Sequence, residues 1–272
     1  MTESAAAYAR RLVTADTLAG KLATAPAELD FASAAAERIA APGRPAELAI
    51  VPGRKARVPP VAGMRDPTQR ARILHALANH ELQAIELFAW AVLAFPDTPV
   101  AFRRGLLAIV SDEQRHLQLY LDRLVAHGMQ FGDCPVTGHF WNKLDHLSGP
   151  LEFVCAMGLT FEQANLDFAG DYATAARAVG DTTTADALAQ VHADEISHVH
   201  FGWVWLRRFA GEDAGPFDAW RIYNEHVKFP LGPKRARGAR LDRDARRRAG
   251  IDEAFIAALA EIEPTRPSGE PR

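Results

Sequence analysis

Apolar residues recur every three or four positions through the middle of the chain, which is the spacing of one face of an α-helix. Alternation of apolar and polar residues, the pattern of a strand, is nearly absent. Turn signals at residues 96–99, 128, 180–182 and 211 divide this region into long segments. The pattern predicts an all-α protein with four long helices, over residues 67–95, 99–127, 150–178 and 183–210.

The connections between these helices differ in length. Residues 96–99 and 180–182 are short enough to join antiparallel neighbours, whereas residues 130–150 form a long irregular crossover. Two helical hairpins joined by one long connection are typical of a ferritin-like four-helix bundle. We therefore expect such a bundle over residues 67–211.

The flanking regions have weaker patterns. Residues 5–24 and 28–41 are predicted to form shorter helices, and residues 41–67, rich in Pro, Gly and Arg, an irregular connector. We expect the C-terminal tail to be helical and to pack on the bundle. The predicted division is N-terminal helices with the connector (1–66), the four-helix bundle (67–211) and a basic tail (212–272).

The charge of the chain is unevenly distributed. The net charge is −3 over 272 residues, which argues against a general polyanion-binding protein. Residues 233–248 nevertheless hold eight Lys or Arg and only two Asp, a local charge of +6. This basic segment is either a solvated helix face or a site for an anionic ligand, such as a phosphate, a carboxylate or an RNA backbone.

The remaining composition bears on localisation. Two cysteines, Cys134 and Cys155, cannot form a disulfide framework or a cysteine zinc site. The first residues lack the features of a secretory signal. The longest apolar run, residues 87–95, is far shorter than the ~20 residues of a membrane span. We expect a cytoplasmic protein without a membrane segment.

Two helices carry the same short motif. Asp-Glu-x-x-His occurs at residues 112–116 and again at residues 194–198. At ~100° per residue, a Glu and the His three positions later project from one face of a helix. A single copy would be weak because a long helix contains one by chance, but two copies on alternate helices indicate a metal centre.

The other two helices offer matching carboxylates. Glu81 precedes Glu113 by 32 residues and Glu162 precedes Glu195 by 33, so the midpoint of each pair lies at a predicted turn. Residues equidistant from the turn of an antiparallel hairpin lie at the same height. The two halves are also offset from each other by 81 or 82 residues, which indicates an internal repeat of a hairpin.

These positions form a set of six predicted metal ligands. Four carboxylates in a bundle core would be very costly without cations, and two divalent ions would neutralise them. Oxygen ligands with one imidazole per metal suit iron or manganese. Glu86 is a rival to Glu81, although its spacing from Glu113 places the midpoint off the proline turn. The predicted ligands are Glu81, Glu113, His116, Glu162, Glu195 and His198.

Three neighbouring residues complete the candidate site. Metal-bound histidines usually donate their second N–H to a carboxylate. We expect Asp112 to accept from His198 and Asp194 to accept from His116, the alternative being exposed carboxylates. His192, one helical turn before Glu195, is either a seventh ligand or a histidine that packs beside the site.

Longer stretches of sequence resemble known families. The repeated E…E-x-x-H pattern resembles the ferritin-like di-metal carboxylate superfamily, and the double D-E-x-x-H resembles its oxygen-activating branch. That branch includes the radical-generating ribonucleotide reductase subunit, multicomponent monooxygenases and acyl-carrier-protein desaturases. HALANHELQAIELFAWAVLAFPDTP, DEQRH, FGDCP and DEISHVHFGW are similar to the ferritin-like domain-of-unknown-function 455 family, over about residues 45–210. These motifs do not identify a substrate.

The resemblance implies an enzyme with two iron ions, or manganese or a mixed pair. We expect an O₂-dependent oxidoreductase that hydroxylates, desaturates or N-oxygenates a small molecule. The sequence does not identify its electron donor. A homodimer is one assembly that the chain could form. One alternative is an iron-handling ferroxidase or peroxidase. Another is a nucleic-acid-modifying hydroxylase that uses the basic segment to contact phosphates.

Overall fold

The computed structural model is all-helical. No residue that it describes belongs to a strand, and the only extended pairing there is an isolated bridge between Ser4 and Asp30. The predicted all-α fold class is confirmed. The described residues are 2–32, 34–53, 56, 58–211, 217–228 and 230–263.

The chain divides into two compact units. The first contains residues 1–59 and 66–144, and the second contains residues 60–65 and 145–272. The three-part division expected from the sequence stays a prediction. None of the described helices is long and apolar enough to cross a membrane.

The first unit is built on a long helical hairpin. Asp66 caps the first hairpin helix through the backbone N–H of Gln69, and Pro67 occupies its first turn, where no N–H is needed. The residues between the two hairpin helices form the predicted turn. The helix Ala5–Thr14 packs against the helix Pro67–Ala94, and a 3₁₀ turn, Trp141–His146, lies in the crossover. The α-helices of this unit are α1 (Ala5–Thr14), α2 (Leu18–Lys21), α3 (Pro67–Ala94) and α4 (Val100–Ala126).

The second unit repeats the hairpin. Its first helix is continuous from Pro150 but changes to π-helical geometry over Val154–Glu162. Asp181 then caps the returning helix through the N–H of Thr184. Three short helices follow. The α-helices are α5 (Pro150–Phe153), α6 (Gln163–Ala178), α7 (Thr182–Phe209), α8 (Ala219–His226), α9 (Arg243–Arg248) and α10 (Glu253–Glu261).

The π-helical segment brings two backbones close together. A Cβ atom built on Gly158 would lie only 2.8 Å from the Cα of Gly202 on α7. Only glycine leaves room for this approach. The wider turn of a π-helix also displaces the side chains beyond it, and Glu162 is its last residue. The sequence pattern predicted one uninterrupted helix here, because the apolar positions differ little between the two geometries.

The predicted N-terminal helices are partly wrong. The first ends at Thr14 and is followed by the separate short α2, and the described residues of 28–41 contain no helix. Tertiary contacts replace helical hydrogen bonds in that segment. The indole of Trp90 donates to the carbonyl of Ile39, and the guanidinium of Arg103 donates to the carbonyl of Phe31. Side chains of the hairpin thus satisfy carbonyl groups of this non-helical stretch.

Buried ion pairing anchors the C-terminal tail. The guanidinium of Arg246 is fully buried and binds both carboxylate oxygens of Asp167 on α6, at 2.7 and 3.0 Å. Arg237 donates to three carbonyls near the end of α10, and Arg240 pairs with Asp171. Arg235 donates to the carbonyl of Pro230, and Arg247 pairs with Asp244 and Glu253. At least five of the eight basic residues of the segment 233–248 therefore bind within the second unit, which leaves fewer for an external anion.

Candidate metal centre

The first hairpin gathers three predicted ligands. Glu81 lies on α3, and Glu113 and His116 lie on α4; all three side chains are buried. One ligand atom from each lies within 4.8 Å of the others. Nδ1 of His116 is 3.2 Å from Oε2 of Glu113. The hairpin thus brings together the residues that the turn-centred spacing paired.

The second hairpin gathers the corresponding three. Glu162 ends the π-helical segment, while Glu195 and His198 lie on α7, and all three are buried. Their ligand atoms also lie within 4.8 Å of one another. Nδ1 of His198 is 3.2 Å from Oε2 of Glu195 and 3.7 Å from Oε2 of Glu162. Each hairpin therefore carries one half-site of two carboxylates and one imidazole.

The rival ligand Glu86 is engaged elsewhere. Its carboxylate is completely buried and accepts two hydrogen bonds from the guanidinium of Arg44, at 2.9 and 2.6 Å. Lys21 lies 3.0 Å from one of its oxygens, and the indole of Trp141 donates to the other. Two cations and an indole occupy this carboxylate, so Glu81 is the better ligand.

The aspartates beside the half-sites are both partly buried. Asp112 accepts a hydrogen bond from Arg115, and Asp194 accepts from the amide of Gln190. Their predicted hydrogen bonds to the histidines of the opposite hairpin stay predictions.

His192 faces the C-terminal tail. Its Nε2 lies 3.4 Å from a carboxylate oxygen of Asp242. The metal-competent groups found among the described residues do not include it. Its role as a seventh ligand stays a prediction.

Two polar residues that follow Glu162 were not identified from the sequence as part of the site. The amide of Asn165 donates to Oε1 of Glu195 at 2.8 Å, which fixes that carboxylate. Glu162 and Asn165 are three residues apart, the same spacing as Glu and His in the repeated motif, and this signal was available. Gln163 is fully buried, and neither its amide nitrogen nor its amide oxygen has a hydrogen-bond partner among the described residues.

The unpartnered amide of Gln163 leads to a stability prediction. A buried polar group without a partner costs about 1–3 kcal/mol, and Leu has a similar volume without polar atoms. We expect Gln163→Leu to raise the free energy of unfolding of the metal-free protein by about 1 kcal/mol in urea titrations. Gln118→Leu, at an exposed position of α4, should change it by less than about 0.5 kcal/mol. A destabilised Gln163→Leu variant would contradict the prediction.

The chemistry of each half-site fits a divalent metal ion. Two buried carboxylates that lie this close are costly unless a cation compensates them. A protonated histidine would offset only one of the two charges. A divalent ion would offset both and would use the neutral imidazole as a nitrogen donor. Three protein ligands would also leave coordination positions for water or another small molecule.

Comparison with known protein families assigns the chain to one of them. A family model described as "Protein of unknown function (DUF455)" matches residues 2–257. The chain belongs to the DUF455 family. The match includes both hairpins and all six predicted ligands, and the family predicted from the sequence motifs is confirmed. No curated protein and no solved structure matches the chain. DUF455 membership names no reaction, so the function is argued from the side chains.

Proposed function

We propose that this DUF455 protein is an O₂-dependent oxidoreductase that holds two iron ions, or manganese or a mixed pair, in a ferritin-like bundle. The observation that carries the proposal is the duplicated half-site. Each hairpin buries the same donors, two carboxylates and one histidine, with the histidine three residues after one carboxylate. In ferritin-like di-metal proteins, two helices each supply a Glu and the other two each supply a Glu-x-x-His.

The sequence repeat gives each hairpin an equivalent half-site. The halves are offset by 81 or 82 residues, so each ligand of one hairpin has a counterpart in the other. Three ligands per half-site do not complete the coordination of iron or manganese. Water or another small molecule would supply the missing ligands, and two cations would balance the charge of the four glutamates.

The donor types favour iron or manganese. Carboxylate oxygens with a single imidazole are harder ligands than the thiolates of structural zinc sites. Neither cysteine belongs to a metal-competent group among the described residues. When bound, two Fe(II) ions would supply two of the four electrons that reduce O₂ to the level of water, the substrate or an electron donor supplying the others.

The chain's own residues would hold and orient the site. Asn165 fixes one oxygen of Glu195 by its hydrogen bond and leaves the other, which lies beside His198, to bind metal. Burial of all six ligands excludes bulk water and so limits hydrolytic side reactions. Asp112 and Asp194 would accept the outer N–H of the histidines and raise their basicity.

Anaerobic reconstitution tests the proposal. Metal-free protein is titrated with Fe(II) without oxygen, then mixed with O₂ in a stopped-flow spectrometer and an oxygen electrode. We expect saturation near two Fe(II) per chain and oxidation that stops once those ions are consumed. Protein loaded with Zn(II), which has no redox chemistry, is the control and should consume no O₂. Saturation below two ions, or Fe(II) that O₂ leaves unoxidised, would overturn the proposal.

The same experiment separates the proposal from iron handling. A ferroxidase or storage protein continues to oxidise Fe(II) well beyond two ions per chain, whereas the proposed enzyme stops without substrate and reductant. Hydroxylation, desaturation and N-oxygenation remain alternatives within the proposal, because no residue described above selects among them.

A further inference from the structure

A cavity lies within the first unit, away from the half-site. It has a volume of about 350 Å³ and lies between α3 and the loop that begins the crossover. Pockets for small molecules typically measure ~300–1,000 Å³. Val58, Ala76 and Val136 form apolar walls, and Arg72, Asp133 and Cys134 are among the polar residues that line it.

The cavity is on the opposite face of α3 from the predicted metal ligand. Arg72 and Glu81 are nine residues apart, which is two and a half helical turns and therefore about 180° around the axis. Asn79 also lines the cavity and lies about 160° from Glu81. A ligand in this cavity would therefore occupy a site distinct from the proposed metal centre.

Two buried side chains of α3 hold the cavity open. Nε2 of His75 accepts the backbone N–H groups of Gly132 and Cys134, at 2.9 and 3.4 Å. The amide of Asn79 donates to the carbonyl of Thr137 at 3.0 Å and accepts from Arg44. These bonds fix both ends of the loop segment that lines the cavity, so the site is largely formed before a ligand binds.

The cavity presents two opposite charges that do not pair with each other. Arg72 is exposed, and no carboxylate pairs with it among the described residues. Asp133 is also exposed; it accepts the backbone N–H of Gln130, and no Lys or Arg pairs with it in the described part of the chain. A purely anionic ligand would meet repulsion at Asp133, and a purely cationic one would meet it at Arg72. A molecule with both charges complements both groups.

We propose that this cavity binds a small zwitterion, with a carboxylate and an ammonium group on a short apolar body, as in a free amino acid. The carboxylate pairs with Arg72, for which a guanidinium offers two parallel donors. The ammonium group pairs with Asp133. The apolar body contacts Val58, Ala76 and Val136, and its size is limited by the cavity volume.

Three probes of one carbon skeleton test the charge requirement. Leucine carries both charges, 4-methylpentanoate lacks the ammonium group and 3-methylbutylamine lacks the carboxylate. Calorimetry on the full-length protein should show that leucine binds at least about tenfold more tightly than either of the other two. Equal binding of the three probes, or no binding of leucine up to ~10 mM, would overturn the proposal.

Cys134 provides an independent readout. The chain has only two cysteines, and Cys155 is completely buried, so a thiol reagent acts on Cys134 in the folded protein. Bound leucine should slow the alkylation of Cys134 by iodoacetamide, measured by mass spectrometry. The slowing should be the same in metal-free and metal-loaded protein, because the cavity lies on the far side of α3 from Glu81. An unchanged rate at saturating leucine would contradict the site.

Two variants assign the charges. Arg72→Ala should weaken leucine binding at least about tenfold, as expected for the loss of a charged hydrogen-bond partner, and should abolish protection of Cys134. Asp133→Asn should remove the preference for leucine over 4-methylpentanoate. The control Arg104→Ala removes an exposed arginine of α4 that does not line the cavity, and it should bind leucine like the wild type. Unaltered binding by Arg72→Ala and Asp133→Asn would overturn the proposal.

Discussion

Alanine in place of Glu113 or His198 should remove at least one of the two metal ions that we expect per chain. Each residue supplies one of the three ligands of its half-site, so its loss leaves two donors in that half-site and weakens the binding of the ion. Metal content after anaerobic loading and desalting, measured by mass spectrometry, should fall from about two ions to one or none.

Matched carboxylates on the same helices provide the controls. Asp122 on α4 and Asp186 on α7 are exposed, and their replacement by alanine should leave the metal content unchanged. Metal should also raise the melting temperature of the wild type and of these controls, because a ligand that binds only the folded state stabilises it. Full metal loading of both Glu113→Ala and His198→Ala would show that these residues are not ligands.

The half-sites were predictable because their geometry is local. Glu113 and His116 share a helix, and helical spacing alone places them on one face. Glu81 lies on the preceding helix, which a short turn connects to theirs. Because Glu81 and Glu113 are equally far in sequence from residues 96–99, they lie at the same height along the hairpin. The same reasoning paired Glu162 with Glu195. Such inferences need regular helices and a tight turn. The first hairpin has both, and in the second the helix that bears Glu162 is regular only from Gln163 to its turn, because Glu162 is the last residue of the π-helical segment.

The features that sequence reasoning missed depend on residues far apart in the chain. The carboxylate of Glu86 is occupied by Lys21 and Arg44, and neither lies within 40 residues of it. The described residues of 28–41 form no helix, and Trp90 and Arg103 bind two of their carbonyls. No local pattern encodes these partners, and intrinsic propensity yields to them.

The basic C-terminal segment is another feature whose role depends on a residue far away in the chain. A cluster of arginines in the sequence indicates a solvated surface or an anion site, because arginine is seldom fully buried without a partner. The partner is Asp167, which lies 79 residues before Arg246. A lone aspartate within a helix gives no sign of such a pairing. Composition therefore identified the charge of the segment but not the part of that charge used inside the protein.

Replacement of Arg246 by alanine should destabilise the protein by about 3–5 kcal/mol, the usual cost of breaking a buried ion pair by the removal of one partner. Arg246 also donates to the carbonyls of Gln163 and Ala236, so it links the tail to α6 beside Glu162. Urea unfolding of the metal-free protein measures the change without a contribution from bound metal. Arg246→Lys should recover only part of the loss, because an ammonium group cannot reproduce the two parallel bonds to Asp167.

Arg248 provides the matched control for this effect. It lies on the same short helix and carries the same charge, but its side chain is exposed. Arg248→Ala should therefore change the free energy of unfolding by less than about 0.5 kcal/mol. Asp167→Asn should be as damaging as Arg246→Ala, because it leaves the guanidinium buried and places an amide against the N–H groups of Gly238 and Asp242. If Arg246→Ala and Arg248→Ala cost the same small amount, the buried pair of Arg246 with Asp167 does not hold the tail on the second unit.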